Sequence, residues 1–432
     1  MTVRALPFEI LTRRAGSWFR LLGLFAASTL TVQAAGLLAG ILWTRNMSIE
    51  EYALFSICLS TVALASVLSD MGLLASITYF WRRTLGNAAE RASYIVAVWQ
   101  LRRQLLVGVS IFVVLAMAIV LKRQGIDIPR TMAAIALIVI ITWVQLNGSF
   151  VSTLMRLRGA ISETLIADVA GALARLVGAA LATILMMGSA VFGLAVVALG
   201  TAISYAIMAA REPRVASPLP TSSQTRRELL AYVGPTIPSV LLYAFKDQVV
   251  SLVAWFIGGS APVAEMFALG RLAIIFSVFG GFIAAVVVPR LAQFSDDRKF
   301  LRAAFLVALM LVTINAALVT LAAVAPGFLL LVIGKNYEHL HTELVWSLIG
   351  ASITTTAVYL AQLNRLRGWV GWEPAVACLY FLMISVVIAR GDFSTSLGAL
   401  MANLYLAVFG LLAMFATLCA GLLGMESVRV RA

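Results

Sequence analysis

Long apolar runs separated by short polar connections set the pattern of this chain. A helix rises ~1.5 Å per residue, so crossing the membrane core takes ~20 apolar residues. Read this way, the sequence predicts twelve spans, at roughly 21–44, 52–81, 104–121, 131–155, 163–187, 190–210, 232–257, 262–288, 303–325, 343–363, 373–389 and 396–422. The runs are continuous and do not alternate, which excludes a membrane β-barrel. The predicted class is therefore all-α, a polytopic membrane protein. The longest polar interruption, Arg211 to Glu228, carries Pro213, Pro218, Pro220 and a Ser/Thr cluster and reads as a mobile linker. Around it the chain divides into a first bundle at 1–210, a linker at 211–231 and a second bundle at 232–432. Arg82 to Gln104 suggests an interfacial helix. Gly327 to His341 suggests a short turn of helix at the external surface.

The pattern repeats. Arg156-Leu157-Arg158-Gly159 returns as Arg365-Leu366-Arg367-Gly368, 209 residues later. Trp43 and Trp255 each end an apolar run, 212 residues apart. The Arg82-Arg83 and Arg290 clusters each close the following run. A parallel repeat needs an even number of spans per half, so two pseudo-symmetric six-helix bundles are expected. Transporters with a site between their bundles are built this way.

Composition agrees: 62% of the residues are hydrophobic, and the mean hydropathy is +1.00. The net charge of +13 could suggest nucleic acid, but its placement says otherwise. With the N-terminus inside, most Lys and Arg fall in cytoplasmic segments, and only Arg45, Lys122, Arg123, Arg130, Lys335 and Arg390 fall outside. This is the positive-inside rule, with both termini cytoplasmic and anionic membrane lipid as a contact. No nucleic-acid partner is expected. Arg13, Arg14 and Arg20 precede a run too long for a signal peptide, so it reads as the first span behind a basic amphipathic stretch. Cys58, Cys378 and Cys419 lie in apolar spans and read as packing residues.

Ionisable residues inside spans are expensive and become site candidates. Asp70 lies in span two. Asp168 and Arg175 lie seven apart in span five, near one face, so they can pair. Lys246 and Asp247 sit mid-span in the seventh, where neighbours diverge by ~100° and do not easily pair. Arg271 lies deep in span eight. Glu163, Glu265 and Glu373 open spans and complement helix dipoles. Pro235 and Pro238 fall early in span seven and Pro262 opens span eight, suggesting a broken, mobile, site-forming helix. His339 and His341 have no further His or Cys partner for a closed metal site, so no metal is expected. Phosphate-loop, nucleophile and dinucleotide motifs are absent from the sequence, and no cofactor is expected. No connection is long enough for a soluble catalytic domain, and the chain does not read as an enzyme.

Four segments carry a resemblance. Thr44-Arg45-Asn46-Met47-Ser48-Ile49-Glu50-Glu51-Tyr52-Ala53-Leu54-Phe55 is the first, and Ser69-Asp70-Met71-Gly72-Leu73 the second. Lys246-Asp247, then Phe256-Ile257-Gly258 and Val263 to Arg271, form the third, and Val332-Ile333-Gly334-Lys335-Asn336-Tyr337 the fourth. In this order they resemble the polysaccharide transporter, or O-antigen-type flippase, family of the multidrug/oligosaccharidyl-lipid/polysaccharide exporter superfamily. Ala53 replaces that family's usual Gly and Met266 its usual Tyr. The resemblance implies a flippase that moves a polyprenyl-diphosphate-linked oligosaccharide across the bacterial inner membrane by alternating access. It also implies glycan polymerase or assembly proteins as candidate partners.

A diphosphate calls for cations, so Arg45, Arg175, Lys246 and Arg271 are the substrate-binding candidates. Tyr243, Trp255 and Gln248 suit the sugar. Asp70, Asp168 and Asp247 are the ion-coupling candidates. A multidrug exporter of the same superfamily is the alternative, though cationic drugs would favour an acidic lumen. A non-transporting component of a glycan assembly complex is a further one. A peptidoglycan-precursor flippase would more often have fourteen spans, and Arg82-Arg83-Thr84-Leu85-Gly86 is a poor match to a major-facilitator loop.

Overall fold

The structure is a computed structural model. It describes residues 8–84, 87–123, 125–211, 223–234, 237–283, 287, 291, 297–367, 369 and 372–423. The first half holds α1 (Phe8–Asn46), α2 (Ile49–Asp70), α3 (Leu73–Arg83), α4 (Ala88–Arg123), α5 (Ile128–Leu157), α6 (Ile161–Ile184) and α7 (Ala190–Arg211). A short α8 (Ser223–Val233) connects to the second half. There follow α9 (Ile237–Gly258), α10 (Ser260–Phe282), α11 (Asp297–Val324), α12 (Pro326–Ile333), α13 (His341–Arg367), α14 (Glu373–Arg390) and α15 (Ser396–Leu422). No strand occurs among the described residues. Among the described residues, ten helices are long and apolar enough to cross a membrane, and apolar helices at Gln248–Gly258 and Pro374–Arg390 are shorter. Together they match twelve spanning helices in two bundles.

Polar contacts at the helix ends define the two faces. Glu51, at the start of α2, accepts a hydrogen bond from Ala190 N at 2.7 Å and pairs with Arg130 at the start of α5. One carboxylate thus joins three helix ends, and it complements the N-terminal dipole of α7. The α1 end at Asn46 lies against Gly188, where a Cβ would meet the Asn46 carbonyl. Gly258 likewise abuts the Phe393 carbonyl. These contacts gather the α1/α2, α4/α5, α6/α7, α9/α10 and α14/α15 connections on one face. The start of α1 and the end of α15 lie on the other.

The second predicted span is broken. Met71 (φ 42°) and Gly72 (φ 82°) are both left-handed, ending α2 and starting α3. Glycine adopts this conformation freely, and Met71 is carried with it. Gly72 has no side chain to cap α3, and Asp70 Oδ1 takes that duty, accepting from Leu74 N at 3.2 Å. Asp70 also holds Arg102 Nε at 2.8 Å, and Arg102 donates to Ser149 Oγ at 2.9 Å. Arg102 is 3% exposed, although its sequence position suggested a cytoplasmic charge.

The predicted interfacial helix before span three is instead continuous with it in α4. Within the predicted seventh span, α8 ends at Val233 and α9 begins at Ile237. Pro238 and Pro262 sit in first turns of α9 and α10, where a missing N–H costs little. Pro235 lies outside the described residues. So does 212–222 of the predicted linker, but 223–233 forms α8 and docks on the first half. There Tyr79 stacks on Tyr232 at 4.5 Å, and Tyr94 donates to Glu228 at 2.6 Å.

Within the halves, α6 packs on α1 and α7, and α13 on α15. Between them, α2 packs on α9 and α10, and α1 on α10. Cluster residues Trp43, Tyr52, Trp255 and Tyr337 are buried at this seam.

Candidate functional site

Two cavities flank α2. The first, about 540 Å³, lies in the first half between α1, α2, α5, α6 and α7. It is lined by Gln145, Arg156, Asp168, Arg175, Ser204 and Tyr205 among others. The second, about 510 Å³, is walled by α2, α9, α10, α13 and α15, and Lys246, Gln248, Arg271, Trp346 and Asn403 face it. Leu59 and Ala63 of α2 line both. The sequence candidates therefore split. Lys246 and Arg271 share one cavity, whereas Arg175 belongs to the other.

Their electrostatics differ. In the first cavity, Asp168 Oδ2 pairs with Arg156 Nη2 at 3.5 Å, and its Oδ1 accepts from Ser204 Oγ at 3.4 Å. Asp168 thus makes its ion pair with Arg156, one helix away, and not with Arg175 as the spacing suggested. The stem of Arg175 lies over Gly200, where any Cβ would clash with its Cγ. Gly200 also lets α6 and α7 approach closely at Gly171. The second cavity carries Lys246 and Arg271, and no carboxylate stands among its described lining residues. Two cations on one cavity can attract an anion.

Arg271 reaches from α10 to the first half. Its Nε donates to the Tyr52 hydroxyl at 3.2 Å, and its stem packs beside Gly40 of α1. Arg45 has another setting. Its Nη2 donates to Leu331 O at 2.6 Å and its Nε to Val332 O at 3.0 Å, while Thr44 Oγ1 donates to Ile333 O at 2.9 Å. Three consecutive carbonyls at the end of α12 are thereby satisfied from α1. A cation also suits a helix C-terminus. This latch joins the two halves on the face of the Glu51 contacts. Tyr337, just beyond α12, meets Tyr52 edge-on at 6.4 Å.

Asp70 lies in its pair with Arg102 and lines neither cavity. The side chains of Asp247 and Tyr243 lie outside the described residues. Gln248 reaches the second cavity and accepts from Ser60 Oγ of α2, whereas Trp255 is 2% exposed and packs in the core. Glu265 contacts His339 at 3.3 Å. Sequence reasoning passed over Arg156, Glu51, Tyr52 and Arg102 as site or seam residues. Their signal was present, since Glu51 and Tyr52 stand in a quoted segment and Arg156 opens the repeated Arg-Leu-Arg-Gly. Reading those arginines only as orientation charges hid it.

Two apolar bundles thus meet along α2, with a polar cavity on either side of it and contacts that tie them together at one face. The sequence profile of the polysaccharide biosynthesis protein family matches residues 22–295, and the chain belongs to that family. No curated protein matches it by sequence. Among solved structures it is similar to the lipid II flippase MurJ in an inward closed conformation, with a TM-score of 0.72 at 13% identity, covering 92% of this chain and 87% of that one. A multidrug resistance MATE family transporter of the MOP superfamily, inward-facing, gives a TM-score of 0.55 at 16% identity over 94% and 99% of the two chains. A MATE structure in the bent conformation gives 0.59 at 15% identity over 94% and 95%. At these identities the likeness establishes the fold. The peptidoglycan-precursor flippase set aside on span count is thus a structural neighbour, because the two-bundle arrangement is shared.

Proposed function

We propose that this protein is a flippase that moves a polyprenyl-diphosphate-linked oligosaccharide across the bacterial inner membrane by alternating access. The observation that carries the reading is Lys246 and Arg271 on one cavity without a described lining carboxylate, beside a latch that ties the halves at one face. A diphosphate is costly in lipid and needs such cations, while Gln248, Asn403 and Trp346 offer hydrogen bonds and a ring to sugar. The positive-inside pattern orients the latched face outward and both termini to the cytoplasm. The halves at 1–210 and 232–432 would then rock about the α2 seam, with 211–231 between them. Asp168, on the first cavity and beside Arg156, is the ion-coupling candidate that the geometry favours; Asp70 is engaged in capping α3.

A multidrug exporter would bind cations, which the second cavity disfavours. Membrane lipids and the lipid-linked oligosaccharide are the partners this reading requires, and glycan polymerase or assembly proteins are further candidates. The test is deletion in the host. Lipid-linked repeat units should accumulate at the inner leaflet while the surface glycan disappears, and resistance to cationic drugs should hold. Unchanged glycan with lost drug resistance would replace this reading with the exporter.

A further inference from the structure

A further groove lies outside the cavities, on the surface of α4 beside α8. Trp99, Arg103, Gln104 and Val107 line it among others, and it is open, with a volume of about 500 Å³. Trp99, Arg103, Val107 and Ile111 recur every four residues, so they run down one face of α4. Trp99, Val107 and Ile111 are exposed. The Arg103 guanidinium lies over the Trp99 ring, 4.7 Å from its centroid. Arg226 of α8 joins from the side, its Nη2 donating to Gln104 Oε1 at 3.2 Å. Among the described residues, neither Arg103 nor Arg226 forms an ion pair. Leu230, one turn beyond Arg226, is exposed as well.

Depth along α4 places this groove. Lys122 and Arg123 end the helix on the latched face, where Arg123 lies over the Phe256 ring near the end of α9. From Lys122 back to Arg103 the helix runs ~29 Å, close to the ~30 Å of hydrocarbon in a bilayer. Arg103 and Trp99 therefore stand at the opposite membrane boundary, while Val107, Ile111, Leu115 and Ile119 face the acyl chains between. A tryptophan with one snorkelling arginine needs no ligand at such a boundary. Two arginines from different helices at one groove, neither in an ion pair, are like charges that an anion would bridge. We propose that this groove binds an anionic phospholipid of the cytoplasmic leaflet. Arg103 and Arg226 hold its phosphate, and one acyl chain follows Val107 and Ile111. The bound lipid joins α4 to α8, and the site is independent of whatever substrate the cavities take.

Fluorophore quenching in proteoliposomes tests it, with the full-length protein in bilayers of phosphatidylcholine and phosphatidylglycerol. Cys378→Ala and Cys419→Ala remove the accessible thiols. A fluorophore on Ile111→Cys then reads the chains beside the groove, and one on Ile119→Cys reads the same face nearer the other boundary. Brominated phosphatidylglycerol should quench the Ile111→Cys label severalfold more than brominated phosphatidylcholine at the same fraction, whereas both should quench the Ile119→Cys label alike. Arg103→Gln with Arg226→Gln should abolish the preference, and Arg103→Lys should keep most of it. Equal quenching of the Ile111→Cys label by the two lipids would overturn the site, as would the same preference at both labels, and neither result needs the arginine variants to fold. A preference that survives the double substitution would overturn the role of the two arginines. Loss of the preference on adding inorganic phosphate would replace the phospholipid with a free anion, and displacement by a trace of farnesyl diphosphate would replace it with a lipid diphosphate.

Discussion

Arg45 and Lys246 show how two cations of one chain take different roles by what faces them. Arg45 meets two backbone carbonyls at the end of α12 and holds the halves together. Lys246 lines two cavities. In the flippase reading, Lys246→Ala should reduce transport by about tenfold or more, while Lys246→Arg keeps the charge and should retain most of it. Equal loss in both variants at normal abundance would show that charge is not what matters there. For Arg45, exposed hydrogen bonds of this kind contribute ~0.5–1.5 kcal/mol each, and ~1.4 kcal/mol shifts an equilibrium tenfold. Arg45→Ala should therefore favour opening of the latched face severalfold or more. A cysteine at Gly350, which lines the second cavity beside open space, should then label faster from outside. If its labelling is unchanged, the latch does not gate that face.

At the scale of elements, α8 is the clearest case of what pattern reading reaches and where it stops. Proline and Ser/Thr content marked 211–231 as a linker, yet Ser223–Val233 is helical and docked. The docking is made by Tyr94, Arg83 and Tyr79, more than a hundred residues away, and no local pattern can report such partners. The same holds for Arg102, whose burial depends on Asp70 and Ser149. Spans were legible because lipid demands ~20 apolar residues from each. The break at Met71-Gly72 was less legible, because the apolar run continues through it. The split of Arg175 from Lys246 was not legible at all, since it depends on which helix faces meet.

The Tyr94 hydroxyl, then Gln224 and Arg83, hold the Glu228 carboxylate below its ordinary range. A depressed carboxylate stabilises docking above its unfolded value of ~4.3, and the gain is lost as pH falls through the folded value. Pulsed distance measurements between labels on Leu230→Cys and Val107→Cys should stay constant from pH ~7 to ~5 and broaden below ~4. In Tyr94→Phe the broadening should begin at higher pH. A distance that already drifts near neutrality would point to another group.

The molecule as a whole is two similar bundles with unlike charge, mixed in the first cavity and cationic among the described lining residues of the second. Alternating access requires the latched face to open. A crosslink between Arg45→Cys and Val332→Cys should stop transport, and reduction should restore it. Transport that continues through the crosslink would rule out opening at that face. The direct test of the central claim is reconstitution. Proteoliposomes would carry a fluorescent sugar on a polyprenyl diphosphate, and its accessibility to a reductant outside the vesicle would report its leaflet. The wild-type protein should equilibrate the lipid between leaflets far faster than empty vesicles, and Lys246→Ala and the crosslinked protein should not. A wild-type rate equal to that of protein-free vesicles, with the protein folded and inserted, would contradict the account.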